Sequence, residues 1–366
     1  MNAAENAAPS ESLPKVTLRR EIKLPTAVLA LALPPDGSWI FAACMDGGIY
    51  RVEPQSGSSQ QLSRHASYAS GVCWLDNAQV LVSAGYDGVL QWHDLAEVNT
   101  TRRVAAHRFW SWKLAVAPDE SLVASATGQF LAGGYKYEPA AELEPSVRVF
   151  DAQSGELRHS WSHVPPVLSV AFSPDSQVLA AGNLMGEVRV WEIKTGRLLS
   201  RWTTPDFTSW GTVKSHHYIG GIFDLHFTPD GAELLACGMG PMDDPMAGNG
   251  KQTWQRYAWR ENPPHKTAEI ADTDRGNGLM ETLAFHPNGR LFAMAGRLAQ
   301  GKWNVGLFHH GSGQLLHSLD TKMRVTAARF TDAGRQFVLG GAVGQEKKKD
   351  GHYPEFGRIQ LYDCVV

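Results

Sequence analysis

Short, largely apolar segments recur along the chain, and each is followed by a group of turn-forming residues. Residues 167–172 and 222–227 are examples, and their length of six is typical of a buried strand. Seven turn groups follow segments of this kind: Pro35-Asp36-Gly37, Leu75-Asp76-Asn77, Pro118-Asp119-Glu120, Pro174-Asp175-Ser176, Pro229-Asp230-Gly231, Pro287-Asn288-Gly289 and Asp332-Ala333-Gly334. Because these residue types favour tight turns, the pattern predicts seven strand–turn–strand units.

A second alternating segment lies downstream of each turn. In six copies it ends in an aromatic residue, at residues 90–92, 147–150, 188–191, 257–259, 305–308 and 359–362, and Val52 takes this place in the first copy. A Ser/Thr-Gly turn follows in four copies, at Ser56-Gly57, Ser154-Gly155, Thr195-Gly196 and Ser312-Gly313. Four strands and three turns with a period near 40 residues are typical of one propeller blade.

Some of the terminal aromatic residues are followed by an acidic residue, as in Phe150-Asp151, Trp191-Glu192 and Tyr362-Asp363. These pairs and the seven copies in register make the chain resemble the WD40 repeat family over residues 15–366. Three copies depart from the family's Trp-Asp pair, with Trp92-His93, Trp259-Arg260 and Phe308-His309. The resemblance implies an all-β fold, a single seven-bladed WD40-like β-propeller.

The resemblance also implies a structural hydrogen-bond tetrad in the second copy, formed by His65, Ser83, Asp87 and Trp92. A Ser-His-Asp set also occurs in catalytic triads. In WD40-like blades these groups satisfy one another beneath the surface, so we expect them to stabilise the fold and not to catalyse a reaction. The other blades are degenerate at this set: His107 and His163 keep the histidine, but blade 4 has Ala181 and Met185 in place of Ser and Asp.

Ring closure is also predicted. The seventh copy stops shortly after Tyr362, so its outer strand is missing. The alternating segment Val16–Ile22, ahead of the first inner strand, has the right length and pattern to supply it. Closure of this kind is usual in the family and removes two open sheet edges. We therefore predict a flexible leader at residues 1–14 and a propeller at residues 15–366, with blade 7 completed by residues 15–22.

The chain carries extra residues at particular places in the repeat. From the turn to the end of the second segment there are 16 residues in three copies, but 31, 29, 20 and 30 in copies three, five, six and seven. A further insertion of about 15 residues lies between blades 4 and 5. In an antiparallel meander, second-to-third loops and blade-to-blade linkers leave the sheet at the same end. All five insertions are therefore predicted on one face of the ring.

These insertions and the linker between blades 2 and 3 are rich in aromatic residues. Long loops on a rigid scaffold commonly carry function, and aromatic residues and Met are enriched at interfaces. The residues predicted to contact a partner are Phe109, Trp110, Trp112, Phe130, Tyr135, Tyr137, Trp210, His216, His217, Tyr218, Met242, Asp243, Trp254, Trp303, His352 and Tyr353. A purely structural role, in which the loops pack on each other over the channel, is compatible with this interpretation.

The composition argues against several classes of protein. The chain has 366 residues, 43% of them hydrophobic and 19% charged, and a net charge of −3. These values exclude a disordered chain and argue against a nucleic acid partner. No apolar run approaches the length of a spanning helix and the N-terminal residues lack the pattern of a signal peptide, so we expect no membrane association. Four cysteines without a C-x-x-C pair indicate free thiols and a cytoplasmic protein.

The sequence gives little support for a metal or cofactor site. His216, His217, Asp243, Asp244 and His352 are residue types that bind Zn, Fe or Mn, but adjacent histidines in a strand project to opposite sides. Residues 245–252 differ from a phosphate-binding loop, because Pro and Gln replace the required Gly and Ser/Thr. We therefore expect no metal and no cofactor.

The sequence favours a non-catalytic scaffold that binds a protein or peptide partner. The contacts would come from the long loops of blades 3, 5, 6 and 7 and from the linker between blades 4 and 5. The alternative is an enzyme, or a propeller that binds a small ligand or metal in a pocket over the central channel on the same face. In that alternative His216, His217, Asp243 or His352 would carry the chemistry.

Overall fold

The structure is a computed structural model that describes residues 13–95, 99–129, 141–209, 219–242, 250–331, 333–344 and 355–366. Within these residues the chain forms 28 strands, β1 to β28, and two 3-10 helices, Pro205–Phe207 and Asp272–Asp274. Neither helix is long and apolar enough to cross a membrane. The strands form seven four-stranded antiparallel sheets, the blades of a ring.

The first four blades follow one another along the chain. Blade 1 consists of β2 (Val28–Ala32), β3 (Ile40–Cys44), β4 (Gly48–Val52) and β5 (Ser59–Arg64). Blade 2 consists of β6 (Ala69–Leu75), β7 (Val80–Gly85), β8 (Val89–Asp94) and β9 (Asn99–Ala105). Blade 3 consists of β10 (Ser111–Val116), β11 (Leu122–Thr127), β12 (Val147–Asp151) and β13 (Leu157–Trp161). Blade 4 consists of β14 (Val167–Phe172), β15 (Val178–Asn183), β16 (Glu187–Glu192) and β17 (Leu198–Thr203).

The remaining three blades complete the ring. Blade 5 consists of β18 (Ile222–Phe227), β19 (Leu234–Met239), β20 (Gln252–Ala258) and β21 (His265–Glu269). Blade 6 consists of β22 (Asn277–Phe285), β23 (Leu291–Gln300), β24 (Val305–His309) and β25 (Leu315–Leu319). Blade 7 consists of β26 (Arg324–Phe330), β27 (Gln336–Ala342), β28 (Gly357–Val365) and the N-terminal strand β1 (Lys15–Leu24).

The N-terminal strand closes the last blade, which confirms the predicted fold class. Strand β1 pairs antiparallel with β28 from Lys15 opposite Val365 to Leu24 opposite Gly357. It is therefore two residues longer at its C-terminal end than the predicted segment. The predicted leader lies almost entirely outside the described residues, which begin at Leu13.

Asx hydrogen bonds explain the residue types of the first-to-second turns. The side chains of Asp36, Asp175 and Asp230 accept a hydrogen bond from the backbone N–H two residues ahead, at 2.9, 3.0 and 3.0 Å. Gly37 and Gly231 follow with φ of 67° and 68°, a conformation that costs glycine little. The Pro-Asp-Gly signal therefore marks a turn that these residues stabilise locally.

The hydrophobic core lies between the blades. Among the described residues, seven large clusters of buried side chains each join two neighbouring blades. The central strands β3 and β15 are buried at every position because both faces of a blade are covered, whereas the outer strand β5 is exposed at four of its six positions. No blade can therefore bury its apolar faces without two neighbours.

All five insertions leave the blades at the same end of the sheets. Four lie between second and third strands, after β11, β19, β23 and β27, and the fifth links β17 to β18. We call this end of the ring the insertion face and the opposite end, with the first-to-second turns, the turn face. Residues 130–140, 210–218, 243–249 and 345–354 of the insertions lie outside the described residues.

The described ends of the insertions are joined to the blades. In blade 6 the extra residues lengthen β22 and β23 toward the insertion face, with Asn277 opposite Gln300. Lys251, at the end of the blade 5 insertion, forms a bridge with Asn277. The Gly278 N–H donates to the Gly250 carbonyl at 2.8 Å. The described ends of the insertions of blades 5 and 6 thus extend the sheets of these blades on the insertion face.

The β1–β28 ladder leads to the first prediction. Deletion of residues 1–22 removes Ile22, which is buried between blades 1 and 7, and leaves β28 as an open edge. We expect this variant to unfold or to form oligomers, as measured by thermal circular dichroism and by size-exclusion chromatography with light scattering. Deletion of residues 1–12 is the control and should leave both readings unchanged. A monomeric 1–22 deletion with an unaltered Tm would contradict the prediction.

Candidate functional site

Five aromatic side chains of blades 2 and 3 meet on the insertion face, beside the central channel. We call Tyr68, Tyr86, Phe109, Trp110 and Trp112 the aromatic cluster. The ring of Tyr86 stacks on Trp110 at 4.9 Å and on Trp112 at 5.5 Å. Tyr68 lies 5.4 Å from Tyr86, and Phe109 lies 5.0 Å from Trp110. Tyr68 is 40% exposed and the other four are half-buried, so the cluster presents aromatic surface to solvent.

A buried carboxylate holds the backbone of this cluster. Glu144, at the end of the blade 3 insertion, accepts hydrogen bonds from the backbone N–H groups of Arg108 and Phe109 at 3.0 Å. The carboxylate also forms an ion pair with Arg148, at 3.4 Å. Charge-assisted hydrogen bonds are stronger than neutral ones. The blade 3 insertion therefore fixes the aromatic linker that precedes its own blade.

Two members of the aromatic cluster, Tyr86 and Trp112, line the channel mouth on the insertion face. The mouth is a cavity of about 250 Å³ lined by Tyr86, Trp112, Phe223 and Leu29, with Ser70, Thr326, Glu281, Arg324 and Lys113 as its polar groups. Burial, with a smaller contribution from Tyr68, raises the pKa of Tyr86. Its hydroxyl therefore remains a neutral hydrogen-bond donor at physiological pH.

An ion pair also lines the mouth. The guanidinium of Arg324 donates two hydrogen bonds to the two oxygens of Glu281, each at 2.7 Å. Glu281 is buried and Arg324 is half-exposed at the channel mouth. This bidentate geometry is the preferred arrangement of a guanidinium and a carboxylate. It places a polar, rigid edge next to the aromatic wall.

A second ion pair crosses the channel below the mouth. Lys113 of blade 3 lies 3.0 Å from a carboxylate oxygen of Asp224 in blade 5, and the Leu283 N–H donates to the other oxygen at 2.9 Å. Burial raises the pKa of Asp224, but the charges of Lys113 and His226 and these hydrogen bonds outweigh it. The pKa therefore lies well below its usual range, and Asp224 is ionised.

The hydrogen-bond network of blade 2 contains His65, Ser83 and Asp87 as predicted, but Trp92 is not its fourth member. His65 Nδ1 lies 3.0 Å from Asp87 Oδ1, and His65 Nε2 lies 2.8 Å from Ser83 Oγ. The fourth position belongs to His93, whose Nε2 lies 2.8 Å from Ser83 Oγ. Trp92 instead donates to the Ala152 carbonyl at 2.7 Å.

Strand alternation explains why Trp92 does not belong to the network. Ser83 lies opposite Gln91 in the register, and Val82 lies opposite Trp92. Because successive side chains point to opposite faces of a sheet, Trp92 lies on the other face from Ser83, and His93 lies on the same face. The network assigns the tautomers: His65 donates from Nδ1 to Asp87, Ser83 donates to His65 Nε2, and His93 donates from Nε2 to Ser83.

Blade 3 keeps more of this network than the sequence indicated. His107 Nε2 lies 3.0 Å from Ser125 Oγ, which in turn lies 2.7 Å from Ser111 Oγ. In blade 4, His163 Nε2 donates to the Ala181 carbonyl at 3.3 Å, since Ala181 has no hydroxyl. Burial lowers the pKa of His93, His107 and His163 to about 3. All three imidazoles are therefore neutral at physiological pH.

Two predicted contact residues are core residues instead. Trp254 is fully buried and packs edge-on against Phe292 at 5.3 Å and Phe308 at 5.8 Å. Trp303 is 5% exposed and donates from Nε1 to the Asp274 carbonyl at 2.7 Å. Their positions at the insertion boundaries suggested exposure, but the space between blades 5 and 6 encloses both rings. The prediction that they contact a partner is therefore wrong.

The other predicted contact residues are divided. Phe109, Trp110 and Trp112 lie in the aromatic cluster, and Met242 is half-buried beside Gly220. The remaining residues lie outside the described residues: Phe130, Tyr135, Tyr137, Trp210, His216, His217, Tyr218, Asp243, His352 and Tyr353. Among the described residues, no group of three His, Cys, Asp or Glu side chains is arranged to hold a metal ion.

Sequence reasoning missed several residues of the aromatic cluster and of the mouth. Tyr68 and Tyr86 lie in short connections, and Phe223, Glu281 and Arg324 lie in inner strands. A signal was present, because a charged residue inside an otherwise apolar inner strand is unusual unless it is paired. Lys113 and Asp224 carry the same signal.

A family profile matches the same repeat. The profile described as WD domain, G-beta repeat, matches residues 18–50 and 155–192. Each matched segment contains the outer strand of one blade followed by the three inner strands of the next. The chain is a seven-bladed β-propeller, and two of its segments match the WD40 repeat. The first match begins in β1, so the sequence repeat itself runs across the closure of the ring.

Several curated proteins are similar to this propeller over part of its length. Telomerase protein component 1 of Rattus norvegicus is 23% identical over 220 residues, which cover 58% of this chain and 8% of that protein. Eukaryotic translation initiation factor 3 subunit I of Neurospora crassa is 29% identical over 93 residues, covering 25% and 23%. WD repeat-containing protein SL1-17 of Schistosoma mansoni is 21% identical over 192 residues, covering 44% and 64%. The chain thus spans less than two thirds of each relative.

The blade 2 network leads to the second prediction. Ser83→Ala leaves two buried imidazole nitrogens without their shared partner, so the free energy of unfolding should fall by about 1–3 kcal/mol. Urea unfolding measures this change. The control is Ser160→Ala, at an exposed position of β13, which should change stability by less than about 0.5 kcal/mol. Equal stabilities of the two variants would show that the network contributes nothing.

The buried histidines lead to the third prediction. Because burial lowers the pKa of His93, His107 and His163, the unfolded chain binds their protons below about pH 6.5 while the folded propeller does not. Their contribution to stability is complete above that pH and is lost as the pH falls. Urea unfolding between pH 7 and 5 should approach a loss of about 1.4 kcal/mol per pH unit for each histidine.

The variant His163→Gln should reduce the pH dependence of the free energy of unfolding by the contribution of one proton, about 1.4 kcal/mol per pH unit. The matched control is His265→Gln, because His265 is exposed. A slope that is identical in the wild-type protein and His163→Gln would contradict the third prediction.

Proposed function

We propose that the propeller is a non-catalytic scaffold in the cytoplasm that binds a protein or peptide partner through its insertion face. The contacts would come from the long loops of blades 3, 5, 6 and 7, from the linker between blades 4 and 5, and from the aromatic cluster. The observation that carries the proposal is the aromatic cluster, which is half-buried, stacked and held by Glu144 beside the channel mouth.

The physical properties of this cluster suit binding. Rigid aromatic side chains lose little conformational entropy when a partner covers them, and residues of this type dominate the binding energy of interfaces. Trp110 and Trp112 are stacked on Tyr86 in the free protein, so they are arranged in advance. The ion pair of Glu281 and Arg324 next to them adds directional polar contacts at the rim of the mouth.

The charged groups of the mouth favour binding over catalysis. Glu281 is held by Arg324 through two hydrogen bonds, and Lys113 is held by Asp224. A general acid or base needs to exchange a proton with a substrate, and paired ions resist this exchange. The residues considered for an enzymatic alternative, His216, His217, Asp243 and His352, lie outside the described residues.

The names of the relatives support a role in protein interaction, and the free thiols support a location in the cytoplasm. Two relatives are named as a component of telomerase and as a subunit of a translation initiation factor, that is, as parts of larger assemblies. All four cysteines of this chain are free, and free thiols are typical of reducing compartments.

The fourth prediction tests the choice of face. In a pull-down from the native cell extract, the wild-type propeller should recover a stoichiometric partner, which is then purified. Trp110→Ala should weaken binding of this partner by about 2 kcal/mol or more, which corresponds to an increase of about 30-fold in Kd. Calorimetry measures this change. A variant with residues 240–249 cut to a short turn should also lose affinity.

The matched control is Trp39→Ala, because Trp39 is a half-buried tryptophan on the turn face, stacked beneath Arg51 at 4.6 Å. Its partner affinity should equal that of the wild-type protein. Thermal unfolding of each variant verifies that the fold is retained. If Trp110→Ala and the shortened loop both keep full affinity while Trp39→Ala loses it, the partner binds the turn face and the proposal is wrong.

A further inference from the structure

The central channel contains a second cavity below the mouth, on the side of the turn face. It has a volume of about 470 Å³, and we call it the channel chamber. Lys113 lines both cavities, so its ion pair with Asp224 lies between the mouth and the channel chamber. A volume of this size falls within the range of small-molecule sites.

Most of the side chains that line the channel chamber are apolar. Its walls include Leu33, Trp74, Val116, Phe172, Phe285 and Phe330 from the turn-face ends of the inner strands. These side chains are buried or half-buried in the free protein. Such a lining favours a ligand with an apolar body, because ligand burial there releases water from both surfaces.

Four ionisable side chains line the described part of the channel chamber besides the thiol of Cys73: Lys113, Asp224, His226 and Arg329. Three of them form one group. Asp224 accepts from Lys113 at 3.0 Å and from the Leu283 N–H at 2.9 Å, and His226 Nε2 lies 3.4 Å from its second oxygen. The negative charge of Asp224 is thus already matched by the lysine.

Arg329 is different. It is half-buried near the turn-face end of β26, and its guanidinium donates a hydrogen bond from Nη1 to the Ala328 carbonyl at 2.8 Å. Among the described residues, no carboxylate lies within 4 Å of this guanidinium, whereas Arg324 of the same strand is paired with Glu281. A guanidinium in an apolar, partly desolvated cavity attracts a carboxylate strongly, and its planar fork matches both oxygens.

We propose that the channel chamber binds a small carboxylic acid with an apolar body, and that Arg329 pairs with its carboxylate. The site therefore combines apolar side chains with a guanidinium that no carboxylate of the described residues pairs with. A neutral ligand would leave Arg329 without an anion, and a cation would be repelled by it. The site is on the opposite side of the Lys113–Asp224 pair from the proposed partner surface, so it does not depend on the proposed function.

Calorimetric titration with two matched pairs of probes tests this site. The pairs are naphthaleneacetate with naphthaleneacetamide, and octanoate with octanamide, which differ mainly in the charge of the head group. We expect each carboxylate to bind the wild-type propeller with a Kd below about 1 mM and its amide to bind at least about tenfold more weakly. Arg329→Ala should reduce carboxylate binding to the level of the amide and leave amide binding unchanged.

Arg335→Ala is the matched control, because Arg335 is an exposed arginine on the turn face of the same blade and does not line the channel chamber. It should bind both probes as the wild-type protein does. Arg329→Lys should retain part of the preference for the carboxylate, since it keeps the charge but loses the planar fork.

Cys73 reports where the probe binds. It lines the channel chamber and is half-buried, whereas Cys44, Cys237 and Cys364 are buried. Burial raises the pKa of Cys73 to about 11, so alkylation by N-ethylmaleimide will be slow enough to follow. Octanoate should slow this alkylation in the wild-type protein and not in Arg329→Ala, with modification located by mass spectrometry.

The shortened 240–249 loop separates this site from the partner surface, because the variant should bind octanoate normally even if it loses its protein partner. The proposal is overturned if carboxylates and amides bind equally, if neither carboxylate binds below about 1 mM, or if Arg329→Ala and Arg335→Ala behave alike.

Discussion

Closure of the ring is the constraint on which the rest of the structure depends. Each blade covers its two apolar faces only with its neighbours, so an open row of blades would leave two faces in water. The ladder between β1 and β28 closes the row with the two ends of the chain. Ile22 and Leu24 then pack between blades 7 and 1, and Glu21 accepts a hydrogen bond from Gln360 at 2.8 Å. The closed ring thus fixes the positions of the blade ends from which the insertions leave.

The same closure brings seven inner strands together around a narrow channel. Charged residues on these strands become neighbours although they are far apart in sequence, as Lys113 and Asp224 do across blades 3 and 5. A buried ion pair contributes little net stability, because desolvation offsets the attraction between the charges. Its effect is geometric: it separates the mouth, with its aromatic wall, from the channel chamber. One channel thus offers two cavities of different chemistry.

Three of the four residues predicted for the blade 2 network belong to it, and the fourth does not. The resemblance to the family implies His65, Ser83, Asp87 and Trp92 as one set, and Trp92 is the member that does not belong to the network. The register of β7 and β8, together with strand alternation, places His93 on the face of Ser83. Trp254 is a different case, since its burial depends on Phe292 and Phe308 from the next blade.

The sequence alone determined the number of blades, the order of their strands, the closing strand and the end of the sheets from which the insertions leave. These properties follow from local periodicity and from turn residues whose side chains, such as that of Asp36, stabilise the turn themselves. Only the tertiary structure decided that the aromatic cluster is held by Glu144, that Glu281 pairs with Arg324 and that Arg329 stays without a carboxylate among the described residues. These contacts join strands and loops of different blades, and local sequence carries no information on such distances.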